Sequence, residues 1–439
     1  MRKHIGVKDL YMLALRSLIN ISLILSGITA QAVTLEDAIE NALSADQGLR
    51  SSKLIQLATQ ENIAIARSRL LPQISLQGSS SQLTQTTTQD IPTGGSTSRS
   101  FTGPSVNHQL VMRQALFRPK DLSSLRSAEL HAEYIDLKYR FDVAELRSRV
   151  VFAWIDLIGA HQLVEVFATP LPFLLDAAKQ ELMKLEQGDG TKDAVMEANS
   201  QNENAKANYF QAVENLKSKQ KIFARLTNIA ESEFKYEKIS FIPVDVVEPT
   251  EKNSVWENLQ KKSIELQMAR LQEQIQHERV QMAESDNKPT LELLVAINLA
   301  KNDATSTQGY QYKNKQIGFQ YTLPLYVGGG SSASIRQAQF TYESSLLDYS
   351  ALQQKFENEF ENNWAALMGA TNRQTALINS ISSIKEQINA SKRALDLGLK
   401  TKSDYANVAI NLSRRVAEFI YNKQELYRLS YKINKKFLN

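Results

Sequence analysis

Residues 289 to 326 read as two alternating segments joined by a polar, turn-rich stretch. In the first, Leu291, Leu293, Val295, Ile297 and Leu299 share one parity, while Thr290, Glu292 and Asn298 take the other. In the second, Ile317, Phe319, Tyr321, Leu323 and Leu325 alternate with Gln316, Gly318, Gln320 and Thr322. A period of two gives a strand one apolar and one polar face, so the stretch predicts a β-hairpin. About ten residues per arm is the length of a tilted strand crossing a bilayer, with lipid on one face and water on the other. A half-buried hairpin in a soluble sheet carries the same pattern, and the hairpin alone does not choose between the two. The aromatic residues Tyr310, Tyr312, Phe319 and Tyr321 fit either an interfacial girdle or cross-strand packing.

The arrangement occurs twice. Pro72 precedes an earlier strand as Pro289 precedes this one, and the offset of 217 also sets Leu49 on Leu266, Glu61 on Glu278 and Ala66 on Ala283. Beyond the hairpins the offset is 210, pairing Arg126 with Arg336, Trp154 with Trp364, Gly159 with Gly369 and Gly188 with Gly398. Self-similarity at a nearly constant spacing marks an internal duplication. The first hairpin, Pro72 to Phe117, is longer than the second, Pro289 to Tyr326. Its extra length is the polar tract SSSQLTQTTTQDIPTGGSTSRS, residues 79–100, which predicts a long exposed loop. Its alternation is also weaker, with Ile74 and Leu76 on one arm, Val106, Leu110 and Met112 on the other, and His108 interrupting.

After each hairpin the period changes to that of a helix. Ala128, Ala132, Ile135, Tyr139, Asp142, Leu146, Val150, Ala153 and Leu157 step by three and four, and every position recurs 210 residues later, from Ala338 to Leu367. This is a coiled-coil seam with small and aromatic residues in place of continuous leucine. From Lys120 to Gln187 a helix would extend roughly 100 Å at 1.5 Å per residue, but Thr169-Pro170-Leu171-Pro172 must kink or break the first copy. Each long helix ends at a turn where Gly188 and Gly398 suit a left-handed backbone. Thr191 or Asp193, and Ser403 or Asp404, suit the start of the returning helix. The expected plan is a first repeat over 33-230 (hairpin 72-117, turn 188-193) and a second over 253-439 (hairpin 289-326, turn 398-404). Between them, residues 231-252 form a linker with two prolines and a short strand or two.

Composition narrows the class. The chain has 439 residues, 42% hydrophobic and 22% charged, enough for a large core. Ten prolines and seventeen glycines are few for that length and favour long helices. The absence of cysteine removes disulfides, thiolate metal sites and thiol nucleophiles. Residues 1-32 have the form of a secretory signal peptide: Arg2, Lys3, Lys8 and Arg16 precede an apolar run from Leu18 to Ile28 and Ala30-Gln31-Ala32. Without them the net charge falls from +4 to +1, which leaves no basic surplus for nucleic acid. No later segment has 18 consecutive apolar residues, so no transmembrane helix is expected, and a closed barrel is the remaining way to span a membrane. His4, His108, His131, His161 and His277 lack metal-ligand spacing, and Gly328-Gly329-Gly330 lacks the Lys-Ser/Thr of a phosphate loop. No catalytic, cofactor or metal site is expected, and the chain does not read as an enzyme.

Taken in order, the motifs resemble the TolC-like outer-membrane efflux protein family over nearly all of the chain after the signal. They are Thr34-Leu35-Glu36-Asp37-Ala38-Ile39 with Ala42-Leu43, Pro72 and Pro289 opening strands, Gln114-Ala115-Leu116-Phe117 and Leu323-Pro324-Leu325-Tyr326 closing hairpins, and two Gly-Thr-Asp turns. The chain departs from the family in having Asp46-Gln47 where Asn-Pro is frequent, and in a first turn one residue shorter than the second. The resemblance implies a mainly α chain with a transmembrane β-barrel: a long coiled-coil helical barrel plus four β-strands per chain, completed as a 12-stranded barrel in a homotrimer. Four strands are fewer than the eight of the smallest usual barrels, so oligomerisation is required if the strands meet lipid.

Further implications follow from the same resemblance. The chain would be the exit duct of a tripartite efflux or type I secretion system in the outer membrane of a Gram-negative bacterium. It would be recruited by an inner-membrane transporter of the ABC or RND type and a periplasmic adaptor docking at the turns, near Gly188, Gly190, Thr191, Gly398 and Thr401. Acidic residues near the second turn ring the periplasmic mouth in the family, with a basic residue holding it closed. Asp404 and Lys400 match those positions, Asn407 stands where the second acidic ring would be, and Asp193 is the first-turn counterpart. Read on their own, Asp193 and Asp404 are equally helix caps worth about 1 kcal/mol each. The competing class is a periplasmic coiled-coil scaffold without a pore.

Overall fold

The computed structural model describes residues 34–92, 94–230, 252–303 and 310–436. The expected signal over 1-32 and all but the last residue of the expected linker over 231-252 lie outside them. In chain order the elements are α1 (Leu35–Ala45), α2 (Gln47–Ser68), β1 (Gln73–Asp90), β2 (Ser96–Phe117), α3 (Pro119–Ala168), α4 (Leu171–Glu186) and α5 (Lys192–Thr227). Then come α6 (Lys252–Lys262), α7 (Ile264–Ser285), β3 (Thr290–Asn302), β4 (Tyr310–Thr322), α8 (Gly330–Asp396) and α9 (Lys402–Tyr431), closed by a π-helical turn at Lys432–Lys436. The helix breaks at Thr169-Pro170 in the first copy, while α8, without prolines, runs unbroken for 67 residues. Two compact units result, each drawing on both halves of the chain.

The strand-bearing unit comprises residues 48–142 and 260–359. Its four strands form one antiparallel sheet in the order β1-β2-β3-β4. Tract 79–100, expected as a loop, is almost entirely strand, for β1 and β2 pair without interruption from Gln73↔Arg113 to Asp90↔Ser96. Threonine is β-branched and suits the pleat. Directly opposed hydroxyls also bond across the strands, Thr84 to Thr102 at 2.9 Å, Thr86 to Ser100 at 3.1 Å and Thr88 to Ser98 at 3.2 Å. Polarity had suggested a loop where pairing and β-branching decide for a ribbon. Beside the sheet, the Gln56 amide donates to Asp136 and the Ser52 hydroxyl to Asp142, each at 2.6 Å, fixing α2 against the first part of α3.

The helical unit comprises residues 34–47, 143–230, 252–259 and 360–436. Thr34 starts α1 with a reciprocal cap: its Oγ1 accepts from the Asp37 amide and its own N–H donates to the Asp37 carboxylate. The main core gathers Ala38, Ala42, Val150, Trp154, Leu157 and Phe223, with the Trp154 and Phe223 rings 5.7 Å apart. The duplicate tryptophan, Trp364, packs at a tilt against Phe360, whose ring lies 5.0 Å from that of Trp256. Every seam position is buried or half-buried in both copies, as its period requires. One 18-residue window within Pro119–Glu186 reaches a mean hydropathy of 1.5 and is apolar enough to cross a membrane. Half of it is buried, and Trp154, Ile155, Leu157 and Ile158 in α3 belong to the core cluster, so we read it as a core helix. Gly159 permits a close approach: a Cβ there would lie 1.9 Å from the Gln424 amide nitrogen, so any side chain would displace Gln424 from the Ile155 carbonyl, to which it donates at 3.1 Å.

Candidate functional site

Two regions carry the expected functional residues. The first is the sheet. Pairing registers Ile74, Met112, Val295 and Ile317 in one row, and Leu76, Leu110 and Ile297 in the next, all on the same face. That face is bare in the single chain: Ile74 is 68% exposed, Ile317 75% and Phe319 73%. The opposite face carries Gln77, Gln109, Asn298 and Asn314. Phe319 and Tyr321 lie on the apolar face, but Tyr312 takes the other parity, and its hydroxyl accepts from the Asn298 amide at 3.4 Å. Tyr312 is therefore no part of an outward aromatic girdle, and the side chain of Tyr310 lies outside the described residues. At the helix-proximal end Arg118 pairs with both Asp121 and Glu292, and Lys120 with Asp286 at 2.6 Å, tying the ends of both hairpins together.

The second region is the pair of turns. Gly188 (φ +82°) and Gly398 (φ +71°) both adopt the left-handed backbone. Each follows a helix closed by two staggered bonds: Gly188 N–H to Leu185 and Asp189 N–H to Lys184 in one turn, Gly398 N–H to Leu395 and Leu399 N–H to Ala394 in the other. Gly190 is held by sterics, because a Cβ would lie 2.7 Å from the Leu185 backbone nitrogen. The N-caps of the returning helices are Thr191 and Thr401. The expected alternatives Ser403 and Asp404 are corrected: Asp404 occupies the third helical position, where its side chain can reach back to the cap. Asp404 Oδ2 accepts from the Thr401 N–H at 2.9 Å and the Thr401 hydroxyl at 2.8 Å, while Thr401 Oγ1 accepts from the Asp404 N–H at 3.1 Å. Contrary to the expected shorter first turn, Gly188 to Thr191 and Gly398 to Thr401 both span three residues. Ala194 simply stands where Asp404 does, so Thr191 accepts from Ala194 N–H at 3.2 Å and Asp193 stands exposed one residue earlier.

These bonds set the charge at the second tip. The Asp404 carboxyl is held below the usual carboxylate range, first by the Thr401 N–H, then by the Thr401 hydroxyl, with Lys400 and Lys184 adding to the effect. Lys400 itself donates to the Ser391 hydroxyl at 3.2 Å. Asn407 is exposed three residues beyond Asp404, on the same side of α9. A folded carboxyl pKa below its unfolded value stabilises the fold above the unfolded pKa, and this contribution is lost as pH falls through the folded value. Thr401→Val should cost about 1 kcal/mol of stability and move the Asp404 pKa up toward the ordinary range, as read by carboxyl NMR titration. Packing brings the first copy to the same tip: Phe173 meets Tyr405 edge-on at 5.1 Å, and Leu174 and Ala177 pack on Ala406. Lys184, paired with Glu181 at 2.7 Å, was not among the expected residues. The spacing of Leu174, Ala177, Ala178 and Glu181 is the pattern that marks this buried stripe.

Comparison with known proteins bears on both regions. Residues 255–430 match the family model described as outer membrane efflux protein. The chain is 25% identical to the proteases secretion protein PrtF of Dickeya chrysanthemi, across 96% of this chain and 90% of that one. It is 22% identical to the outer membrane protein TolC of Escherichia coli (strain K12), across 94% and 83%. Among solved structures, its fold is similar to the Campylobacter jejuni CmeC outer membrane channel, with a TM-score of 0.77 at 16% identity over 92% of this chain and 85% of that one. The outer membrane protein VceC of Vibrio cholerae gives 0.76 at 14%, over 92% and 95%. The family match over residues 255–430 and relatives aligned over nearly the whole chain make this chain similar to the TolC-like outer-membrane efflux proteins, whose solved channels share its fold.

Proposed function

We propose that the chain is the outer-membrane exit duct of an efflux or type I secretion system, working as a homotrimer whose twelve strands close one barrel. One observation carries the barrel reading: among the described residues, a four-stranded sheet with an apolar face open to solvent and with β1 and β4 as unpaired edges. Four strands cannot close, and open edges in a membrane would leave backbone groups without partners, so the sheet calls for copies of itself. The polar face then lines a water-filled passage. Conduction is passive, with the driving energy supplied by an inner-membrane transporter reached through a periplasmic adaptor at the two turns. We favour the secretion branch, supported by relatives named for protease secretion and by the turn Gly188-Asp189-Gly190-Thr191, in which Gly190 admits no side chain.

Asp404 and Lys400 form the gate in this reading. Both hydrogen bonds to Asp404 from Thr401 fall on Oδ2 and keep the group ionised. Three such carboxylates around an axis repel one another and attract cations. With Asn407 in place of a second acidic ring, Asp404 is the principal charge of that constriction. In planar bilayers Asp404→Ala should reduce cation preference and lengthen openings, and Lys400→Ala should lengthen openings. Unchanged conductance in both would remove the gate assignment while leaving the channel reading intact. No conductance from the wild-type chain would remove the channel itself.

A further inference from the structure

The apolar face of the sheet changes chemistry at one end. On β4, Ile317 is followed toward the hairpin tip by Lys315 and Lys313, which pair with Ile297 and Leu299 of β3. Lys301 extends the same parity on β3, two residues beyond Leu299. All three lysines are exposed and lie on the face that carries the apolar rows. The opposite face in these rows holds the uncharged Asn298, Ala300, Asn314 and Gln316. A pore lined for cation or anion selection would place its charges inward; here they are turned outward. Asp303 offsets part of one charge, 3.2 Å from Lys301.

Position along the strand sets the depth. Leu291 to Leu299 extends about 27 Å at 3.4 Å per residue, or about 20 Å along the membrane normal at barrel tilt, most of an apolar band about 25 Å tall. The lysines occupy its last rows and the first row beyond, at the end of the sheet away from the Arg118–Glu292 junction with the helices. An ammonium on the lipid face is costly at mid-membrane and nearly free at the interface, where its stem lies along apolar surface and its head reaches outward.

We propose that Lys301, Lys313 and Lys315 form a binding site for phosphate-bearing lipid headgroups of the outer leaflet, on the lipid-facing side of the barrel. The site rests on the barrel reading given above. Neighbouring lysines on one strand face are roughly 7 Å apart, close enough for one multiply phosphorylated headgroup to engage two or three. Charge-assisted bonds to phosphate would then fix the depth at which the sheet sits.

The test uses the full chain reconstituted in vesicles of phosphatidylcholine alone or with purified lipopolysaccharide, and compares wild type with the triple variants Lys301→Gln/Lys313→Gln/Lys315→Gln and Lys301→Arg/Lys313→Arg/Lys315→Arg. Each lysine should contribute roughly fivefold at low salt, so the glutamine variant should bind the phosphorylated glycolipid about a hundredfold more weakly. The arginine variant should bind as wild type does, and the difference should shrink at high salt. Inorganic phosphate at millimolar concentration should not compete; full competition would assign the lysines to a free anion and overturn the lipid site. Equal glycolipid binding by wild type and the glutamine variant, with conductance intact in both, overturns this site alone. A wild-type chain that inserts into neither vesicle overturns the barrel reading and the site together.

Discussion

Phe319→Arg is expected to abolish the heat-resistant oligomer, whereas Gln320→Arg, one residue along, is expected to preserve it. Phe319 lies opposite Leu293 on the bare apolar face, and Gln320 opposite Glu292 on the polar face. A charge on the lipid side costs up to about 2–4 kcal/mol, most at mid-membrane and less toward the interfaces. Phe319 lies one row from the central Val295–Ile317 row, flanked on its face by apolar Ile317 and Tyr321, and a trimer would incur its cost three times. On the water side an arginine keeps its hydration and gains Glu292 as a neighbour. The measurement is carbonate extraction of outer membranes followed by gel mobility with and without heating. Extraction of both variants as soluble protein, with the wild type extracted likewise, would support the periplasmic scaffold instead.

Trp154→Ala should destabilise the helical unit by about 3–5 kcal/mol, the range for deleting a fully buried large aromatic. Trp154 is 4% exposed against Phe223, which is fully enclosed. Trp364→Ala should cost a similar amount, since Trp364 is 6% exposed and packs on Phe360. Denaturant titration followed by helical circular dichroism reads both. Comparable losses would mean that the duplicated tryptophans are equivalent in energy as well as in position, whereas a loss under 1 kcal/mol at either would show that its layer collapses to fill the space.

Periodicity made the architecture legible and local hydrogen bonding hid the details. The alternation of Leu291 to Leu299 and of Ile317 to Tyr321 located the second hairpin. Leu323 and Leu325 continue the pattern but fall beyond β4, where Pro324 interrupts it. The shared offset of Trp154 and Trp364 pointed to a repeat. Both signals are long-range averages that single residues do not disturb. The ribbon at residues 79–100 escaped because serine and threonine suit loops when alone and strands when an opposed hydroxyl is available, and the opposing residue is not visible in one strand's sequence. At the tips, glycines announced the turns and a threonine caps both returning helices, but whether the cap is reciprocal depended on which residue stands at the third helical position. Thr401 has an acid three residues on, whereas Thr191 has Ala194. Lys184 came within influence of Asp404 through the packing of α4 on α9, a relation between segments more than two hundred residues apart.

The two edges of the sheet that no other described residue covers, β1 and β4, have a consequence for biogenesis. A newly exported subunit carries a donor-and-acceptor row on either side, together with an oily face, and any other strand is a possible partner. If copies of the chain close the barrel as proposed, its survival is a race between finding sibling subunits and joining an aggregate, and the outcome depends on subunit concentration. Doubling synthesis would not simply double functional ducts, and a carrier that shields the edges in transit would raise yield without touching a single native contact.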